Sequence, residues 1–459
     1  MLRVDTERPA PGRVAEVSMR NMFSMNPQNN NITPPDLTNG ADFSAAVAAP
    51  AISKVKEEAG KKRADVSIIH LVDSLIEEAH HMRASDIHID PTETVLRVRY
   101  RIDGVLQDMH ELPKAITPEV VARLKILSGM RTDEHYAAQD GRFSVRLKQY
   151  EEHDSITIDI RSSVAPTYYG ENAVLRLLSD KADRFTLESL GFSPANLLKI
   201  ESVLKKPYGM ILATGPTGSG KTTTLYTMLK RLNIPDVSIV TIEDPIEYAV
   251  SGIEQIQVNA RTSLTFAHGL RSILRQDPNI IMVGEIRDDE TARIAVNTAL
   301  TGHLLLSTVH TTDAATTLPR LLDMGIEPYL ISSTVNMAIA QRLVRKICTN
   351  CREEYMPSEA ERTSLKGVLT EGRAESISKL WRGSGCEQCH GSGFRGRLGI
   401  HEVLVVDEPI REVILKKSSS SELKRLALKR GMITMLEDGL MKVSDGLTTI
   451  DEVLRVIHE

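Results

Sequence analysis

Residues 215–222, Gly-Pro-Thr-Gly-Ser-Gly-Lys-Thr, complete the pattern G-x-x-x-x-G-K-[ST], and what flanks them dictates a local fold. The apolar run Met210-Ile211-Leu212-Ala213-Thr214 before them reads as a short buried strand, and Thr222 to Leu232 after them has helical composition. In a strand–loop–helix unit of this kind, glycines let the loop curl until backbone N–H groups converge on phosphate oxygens. The N-terminus of the helix adds positive potential. Lys221 then reaches the β- and γ-phosphates, and the Thr222 hydroxyl holds Mg²⁺. Gly215, Pro216, Thr217, Gly218, Ser219, Gly220 and Thr223 line the same cradle. The motif implies a bound nucleotide, ATP or GTP.

The surrounding pattern extends this unit into a layer. Short apolar runs at Ser238–Ile242, Ile280–Val283 and Leu304–Ser307 alternate with helical segments, which predicts a mostly parallel sheet covered by helices. Two of these runs end in acids. Gly284-Glu285-Ile286-Arg287-Asp288 offers Glu285 for the Mg²⁺ shell or the attacking water, and Ile242-Glu243-Asp244-Pro245-Ile246-Glu247 places three carboxylates where Pro245 turns the chain. A charged strand-end loop is the alternative for the second group. Arg271 and Arg275, four apart, are expected on one helix face, available to these acids, to a phosphate or to solvent. His303 and His310 flank Leu304–Thr308 as candidates for sensing the γ-phosphate, or as satisfied polar residues.

Before the nucleotide layer, residues 1–63 are rich in small and polar residues without a fixed apolar period, and are expected to be a disordered tail or linker. Residues 64–183 then read as a small mixed α/β unit. Ile68, Val72, Leu75, Ala79 and Met82 recur at helical spacing, while Leu96, Val98, Tyr100 and Ile102 alternate with Arg97, Arg99 and Arg101 as in a half-buried strand. Asp103-Gly104 is a hairpin turn signal, and Phe143-Val145-Leu147 and Ile156-Ile158-Ile160 alternate again. The arginine face is either solvated or meets an anion across a domain boundary. A linker is expected near Asp180 to Pro194, an ATPase core at 184–346, an insertion at 347–393, and a helical part at 394–459.

All four cysteines fall in two pairs, Cys348-x-x-Cys351 and Cys386-x-x-Cys389. In a reducing compartment such knuckles predict a closed tetrahedral Zn²⁺ site that serves structure, not catalysis. Gly385, Gly391 and Gly393 suit tight turns beside the second pair, and His390 is expected to face solvent. A net charge of −5 gives no overall footprint for nucleic acid, and no run of about 18 apolar residues exists to span a membrane. The N-terminus lacks the apolar core of a secretory signal, so the expected location is cytoplasmic.

Four signatures occur in order: Gly215 to Thr222, Ile242 to Glu247, Gly284 to Asp288, and Thr301-Gly302-His303 through His310-Thr311. With Ala84-Ser85-Asp86-Ile87-His88 and Gln139-Asp140-Gly141-Arg142 upstream, the chain over residues 64–459 resembles the secretion ATPases, most narrowly the type IV pilus assembly and type II secretion motors. The resemblance implies a PAS-like N-terminal α/β domain followed by a RecA-like ATPase domain with a zinc-binding insertion, assembled as a homo-hexamer. It implies Glu285 as the Walker B glutamate, Glu247 as the water-activating glutamate, His303 and His310 as the histidine box, and Arg271 and Arg275 as arginines of the aspartate box. It also implies that Arg99, Arg101 and Arg142 complete the ATP site from the first domain. The cofactors are ATP, Mg²⁺ and Zn²⁺. The partner is an inner-membrane platform protein, met at the inner face of the cytoplasmic membrane. The tetracysteine insertion favours an assembly motor over a retraction motor. A type II secretion or DNA-uptake pseudopilus motor has the same chemistry, and a zinc-ribbon nucleic-acid translocase is the reading from another class. The segment before residue 64 is expected to be too short for the membrane-docking domain of longer relatives.

Overall fold

Period-two alternation builds the first layer. Strands β1 (Ala84–Pro91), β2 (Val95–Ile102), β3 (Val105–Pro113), β4 (Gln139–Lys148), β5 (Ser155–Thr167) and β6 (Gly170–Leu178) form one antiparallel sheet in the order β3-β2-β1-β6-β5-β4. In the computed structural model, Val55 and residues 67–148, 155–178, 185–368 and 379–458 are described. The tail expected at 1–63 lies outside them except for Val55, which is buried with the core of this layer. Residues 180–184 of the expected linker also lie outside.

Leu96, Val98, Tyr100 and Ile102 of β2 are buried on one face, as their alternation with arginines predicts. Helices Ile68–His81 and Thr117–Leu127 cover that face, contributing Leu71, Val72, Leu75, Val120 and Leu124 to the same cluster. Asp103 and Gly104 both adopt positive φ, +50° and +90°, which a two-residue turn needs if it is to match the twist of β2 and β3. The opposite face carries a transverse row of charge. Register sets Arg142 opposite Arg161, Arg161 opposite Arg176, Arg176 opposite Asp86, and Asp86 opposite Arg101. Asp86 anchors the row. Its carboxylate is buried and accepts from Arg176 Nε at 3.0 Å and Ser85 Oγ at 2.8 Å, with Arg101 Nε at 3.5 Å.

The second layer contains β7 (Gly209–Thr214), β8 (Ile239–Glu243), β9 (Glu254–Gln257), β10 (Ile280–Val283), β11 (Leu304–Val309), β12 (Val335–Ile347) and β15 (Phe394–Val405). Their order is β15-β12-β7-β11-β10-β8-β9, parallel except for β15. Strands β7, β8, β10 and β11 are buried at every position, which is why they read as continuous apolar runs. Each large aliphatic side chain taken out of water there contributes about 1.5–3 kcal/mol, so the strand ends make a rigid base for loops. The short strands β13 (Arg352–Tyr355) and β14 (Leu380–Gly383) form a ribbon between the cysteine pairs.

The C-terminal region departs from the expected helical part. Residues 394–459 do not begin as a helical part, because β15 pairs antiparallel with β12 along most of its length and belongs to the central sheet. Its burial on both faces from Leu398 to Leu404 removes the alternation that would have marked it as a strand. The helices Glu408–Leu415, Ser420–Lys429, Met435–Ser444 and Ile450–His458 follow it.

Candidate functional site: a phosphate loop met by acids, a histidine and an arginine

The phosphate loop leaves the carboxyl end of β7 and enters the helix Lys221–Leu232. Gly215, Gly218 and Gly220 hold φ of +142°, +79° and +87°, values that side-chain-bearing residues rarely adopt, so the curl of the loop depends on them. Pro216 and Thr217 are exposed at its crest, Ser219 is buried, and Thr222 and Thr223 lie half-buried in the first turn of the helix. Lys221 is buried, and its Nζ donates to the carbonyls of Gly215 at 2.8 Å and Pro216 at 2.9 Å. Burial pushes its pKa down, while the Glu285 carboxylate pulls the other way.

Glu285 comes two residues after β10, at the same edge of the sheet. It is buried, its Oε2 accepts from Arg287 Nε at 2.5 Å, and His310 Nε2 lies 3.2 Å from the same oxygen. His310 is placed there by the next residue. The Thr311 N–H donates to Thr214 Oγ1 at 2.9 Å, which ties the end of β11 to the end of β7. Lys221, Glu285 and His310 therefore converge on one strand edge. Thr222 and Glu285 supply a hydroxyl and a carboxylate there, an oxygen donor set that suits Mg²⁺.

Glu247 lies on the acid loop after β8, and its partner comes from the first layer. Arg161 Nη1 stands 3.4 Å from Glu247 Oε2, and Arg161 Nη2 donates to the Ile246 carbonyl. Burial pushes the Arg161 pKa down, with Glu247 opposing. Glu243, from the same acidic stretch, points inward. Its carboxylate is buried and accepts from Tyr226 Oη, from Thr241 Oγ1 at 2.6 Å and from Gln255 Nε2 at 3.2 Å, so it braces the loop against the helix that follows the phosphate loop.

Other expected residues are placed elsewhere in the chain. His303 precedes β11, at the opposite edge of the sheet from the phosphate loop, where its carbonyl accepts from the Gly209 N–H at 3.1 Å and its Nδ1 meets the Thr298 carbonyl at 3.0 Å. The six residues of β11 put about 20 Å between that edge and His310, so His303 cannot reach this site. Arg271 pairs with Glu290 at 2.6 Å on the surface. Arg275 does not share its helix, which ends at Ile273; it sits in the following turn and donates to the Arg271 carbonyl at 3.2 Å. Arg99 pairs with Asp90 at 2.8 Å, Arg101 with Asp86, and Arg142 with Asp159 at 2.5 Å. Among the described residues, Arg161, which is not one of the arginines expected at this site, is the first-layer arginine that touches the acid loop. The alternation Ile156-Ile158-Ile160 could have pointed to it, since Arg161 follows Ile160 and so faces away from that apolar row.

The cysteines close a second site. All four Sγ atoms lie within 4.8 Å of one another. Cys348–Cys386 and Cys351–Cys389 are 3.8 Å apart and Cys386–Cys389 3.7 Å. A tetrahedron with metal–sulfur bonds near 2.3 Å has edges of about 3.8 Å, so the four residues fit a zinc ion and stand too far apart for disulfides. Backbone N–H groups of Cys386 and Gly393 donate to Cys389 Sγ at 3.1 and 3.3 Å, and Asn350 Nδ2 donates to Cys386 Sγ at 3.4 Å, bonds that favour thiolates. A Cβ on Gly383 would fall 2.0 Å from the Gly393 carbonyl oxygen, so the knuckle strands pack backbone to backbone. His390 is exposed and lies outside the group of four.

The family described as Type II/IV secretion system protein matches residues 61–455. The chain belongs to that family. It is 45% identical over 414 residues to the type IV pilus assembly ATPase PilB of Thermus thermophilus, a match covering 88% of this chain and 46% of that relative. It is 46% identical over 395 residues to the type II secretion system protein E of Aeromonas hydrophila, covering 86% of this chain and 76% of that protein. The fold is shared with the Legionella pneumophila ATPase DotB (TM-score 0.61, 22% identity, 87% of this chain and 98% of that one). As a member of this secretion-ATPase family, the chain is an ATPase. Among the described residues, no helix is long and apolar enough to cross a membrane.

Proposed function

We propose that this chain is the hexameric ATP-hydrolysing motor of a type IV pilus assembly machine, working at the cytoplasmic face of the inner membrane against a platform protein. The convergence of Lys221, Glu285 and His310 beside the phosphate loop carries the chemistry. Lys221 turns from its loop carbonyls to the β- and γ-phosphates, where its charge offsets the negative charge that builds on the transferring group. Thr222 and Glu285 would hold Mg²⁺, which would supply charge neutralisation at the phosphates. Glu247 orients and deprotonates the attacking water, and His310, held against Glu285, reports on the γ-phosphate position.

Arginine completes the site from the first layer. Arg161 stands against the acid loop, and Arg101 and Arg142 lie in the same row. In this reading His303, Arg99, Arg271 and Arg275 act across a subunit boundary of the ring. The four cysteines hold one structural zinc. A second reading, a type II secretion motor, is favoured by the Aeromonas hydrophila protein, whose identity to this chain matches that of the pilus relative. Lys221→Ala tests the enzyme, since normal ATP turnover in that variant would sink the motor assignment. Deleting the gene separates the two cargoes: loss of surface pili supports assembly, and intact pili with loss of secreted enzymes supports secretion.

A further inference from the structure

Gln341 lies at the middle of β12 with 1% of its surface exposed. Both ends of its amide are spent on the phosphate loop and the helix that follows. Nε2 donates to the Ser219 carbonyl at 2.7 Å, and Oε1 accepts from the Thr224 hydroxyl at 2.6 Å. The loop glycines close around the same residue. A Cβ on Gly220 would fall 2.7 Å from Gln341 Nε2, and one on Gly215 would fall 2.4 Å from the Gln341 carbonyl oxygen. Among the described residues the buried Ser219 hydroxyl has no hydrogen-bond partner, so that side chain does not brace the loop itself.

We propose that Gln341 is a positioning residue for nucleotide binding, fixing the curvature of the phosphate loop from the neighbouring strand. This rests on the ATPase reading of the loop. Gln341 is too deep to touch a phosphate; it acts through Ser219 and Thr224. At this length the primary amide offers a donor and an acceptor together without needing a proton from solution. A carboxylate would keep the bond to Thr224 but set an oxygen against the Ser219 carbonyl, and a leucine would keep the volume and lose both bonds.

The test uses the full chain with Gln341→Glu, Gln341→Leu and Thr224→Val, measuring affinity for a fluorescent ADP analogue, KM and kcat for MgATP, and amide hydrogen exchange. For Gln341→Glu, ADP affinity falls and KM rises about ten- to a hundredfold, with kcat at saturation within about threefold. Exchange accelerates at 217–221 and stays unchanged along β12. Thr224→Val moves the same quantities in the same direction by less, and the Gln341→Leu/Thr224→Val double variant loses less than the product of the two, as groups in one chain of bonds do. Wild-type affinity in both Gln341 variants overturns the proposal, as does an affinity loss accompanied by faster exchange throughout β12, which would mark general loosening. Lys221→Ala serves as the control. A wild-type chain that binds no nucleotide sinks the ATPase reading and this inference together, whereas nucleotide binding that ignores Gln341 sinks this inference alone.

Discussion

Arg161 and Glu247 meet across the boundary between the two sheets, Nη1 to Oε2 at 3.4 Å, while the other guanidinium nitrogen donates to the Ile246 carbonyl beside the same glutamate. One planar group thus grips both the side chain and the backbone of the acid loop. An ammonium has the charge for this but not the fork. Arg161→Ala is expected to lower kcat about a hundredfold or more, with nucleotide affinity changed by less than about threefold. Arg161→Lys is expected to recover little. Phosphate-release kinetics decide the matter, and a kcat within a factor of about three of wild type counts against any role for Arg161 in turnover.

Glu285 is shared by Arg287 and His310 and opposes the charge of Lys221. Glu285→Gln preserves shape and removes the negative charge. MgATP binding is expected to persist while turnover falls about a thousandfold. Single-turnover measurements on the purified variant would show bound ATP that is not cleaved, and near-normal cleavage would remove Glu285 from the mechanism.

The cysteine tetrahedron predicts one zinc per chain. Elemental analysis of freshly purified protein checks this directly, and metal-free protein of full activity and stability refutes it. Cys386→Ser, which removes one thiolate, is expected to release the metal and destabilise the chain by several kcal/mol, since structural zinc binding is coupled to folding.

Glu452 predicts a pH dependence at the C-terminal helix. Burial raises its pKa, but hydrogen bonds from Arg455 and Arg345 outweigh burial and bring it to about 2. A depressed carboxylate pKa contributes stability that is present above its unfolded value and lost as pH falls through the folded one. Docking of Ile450–His458 against β12, where Arg345 Nη2 meets Glu452 Oε1 at 2.6 Å, should therefore weaken between about pH 4.5 and about pH 2. Glu452→Gln should abolish that slope and lower the melting temperature already at pH 7. Identical acid titrations for variant and parent would rule out this linkage.

The phosphate loop, the acids Glu285 and Glu247 and the cysteine pairs were legible because each is local: spacing along the chain already specifies the chemistry. Alternation in β2, β4 and β5 was legible for the same reason, because one open face leaves a period of two. What stayed hidden depends on register. His303 and His310 look equivalent flanking a strand, yet a parallel strand sends its two ends to opposite edges of the sheet. Arg161 and Gln341 act on loops far away in sequence, through strand pairings that no spacing reveals. Strand β15 carries no period of two because burial on both faces erases it.

The hairpin turn at Asp103 has a mechanical consequence. Asp103 Oδ2 accepts from the Gly396 N–H at 2.6 Å, so the first sheet also rests on β15, just beyond the cysteine knuckles. From Arg101, beside that turn, the charged row crosses to Arg161 in three strand spacings, about 14 Å. With Asp103 as fulcrum, a tilt of the first sheet by about 10° would carry the Arg161 guanidinium about 2.5 Å across the direction of that arm. That is far enough to release a 3.4 Å contact, or to deliver the arginine elsewhere. With the cysteine knuckle beside the fulcrum and the acid loop at the far end, a small rotation of the first sheet would be magnified where Arg161 meets Glu247.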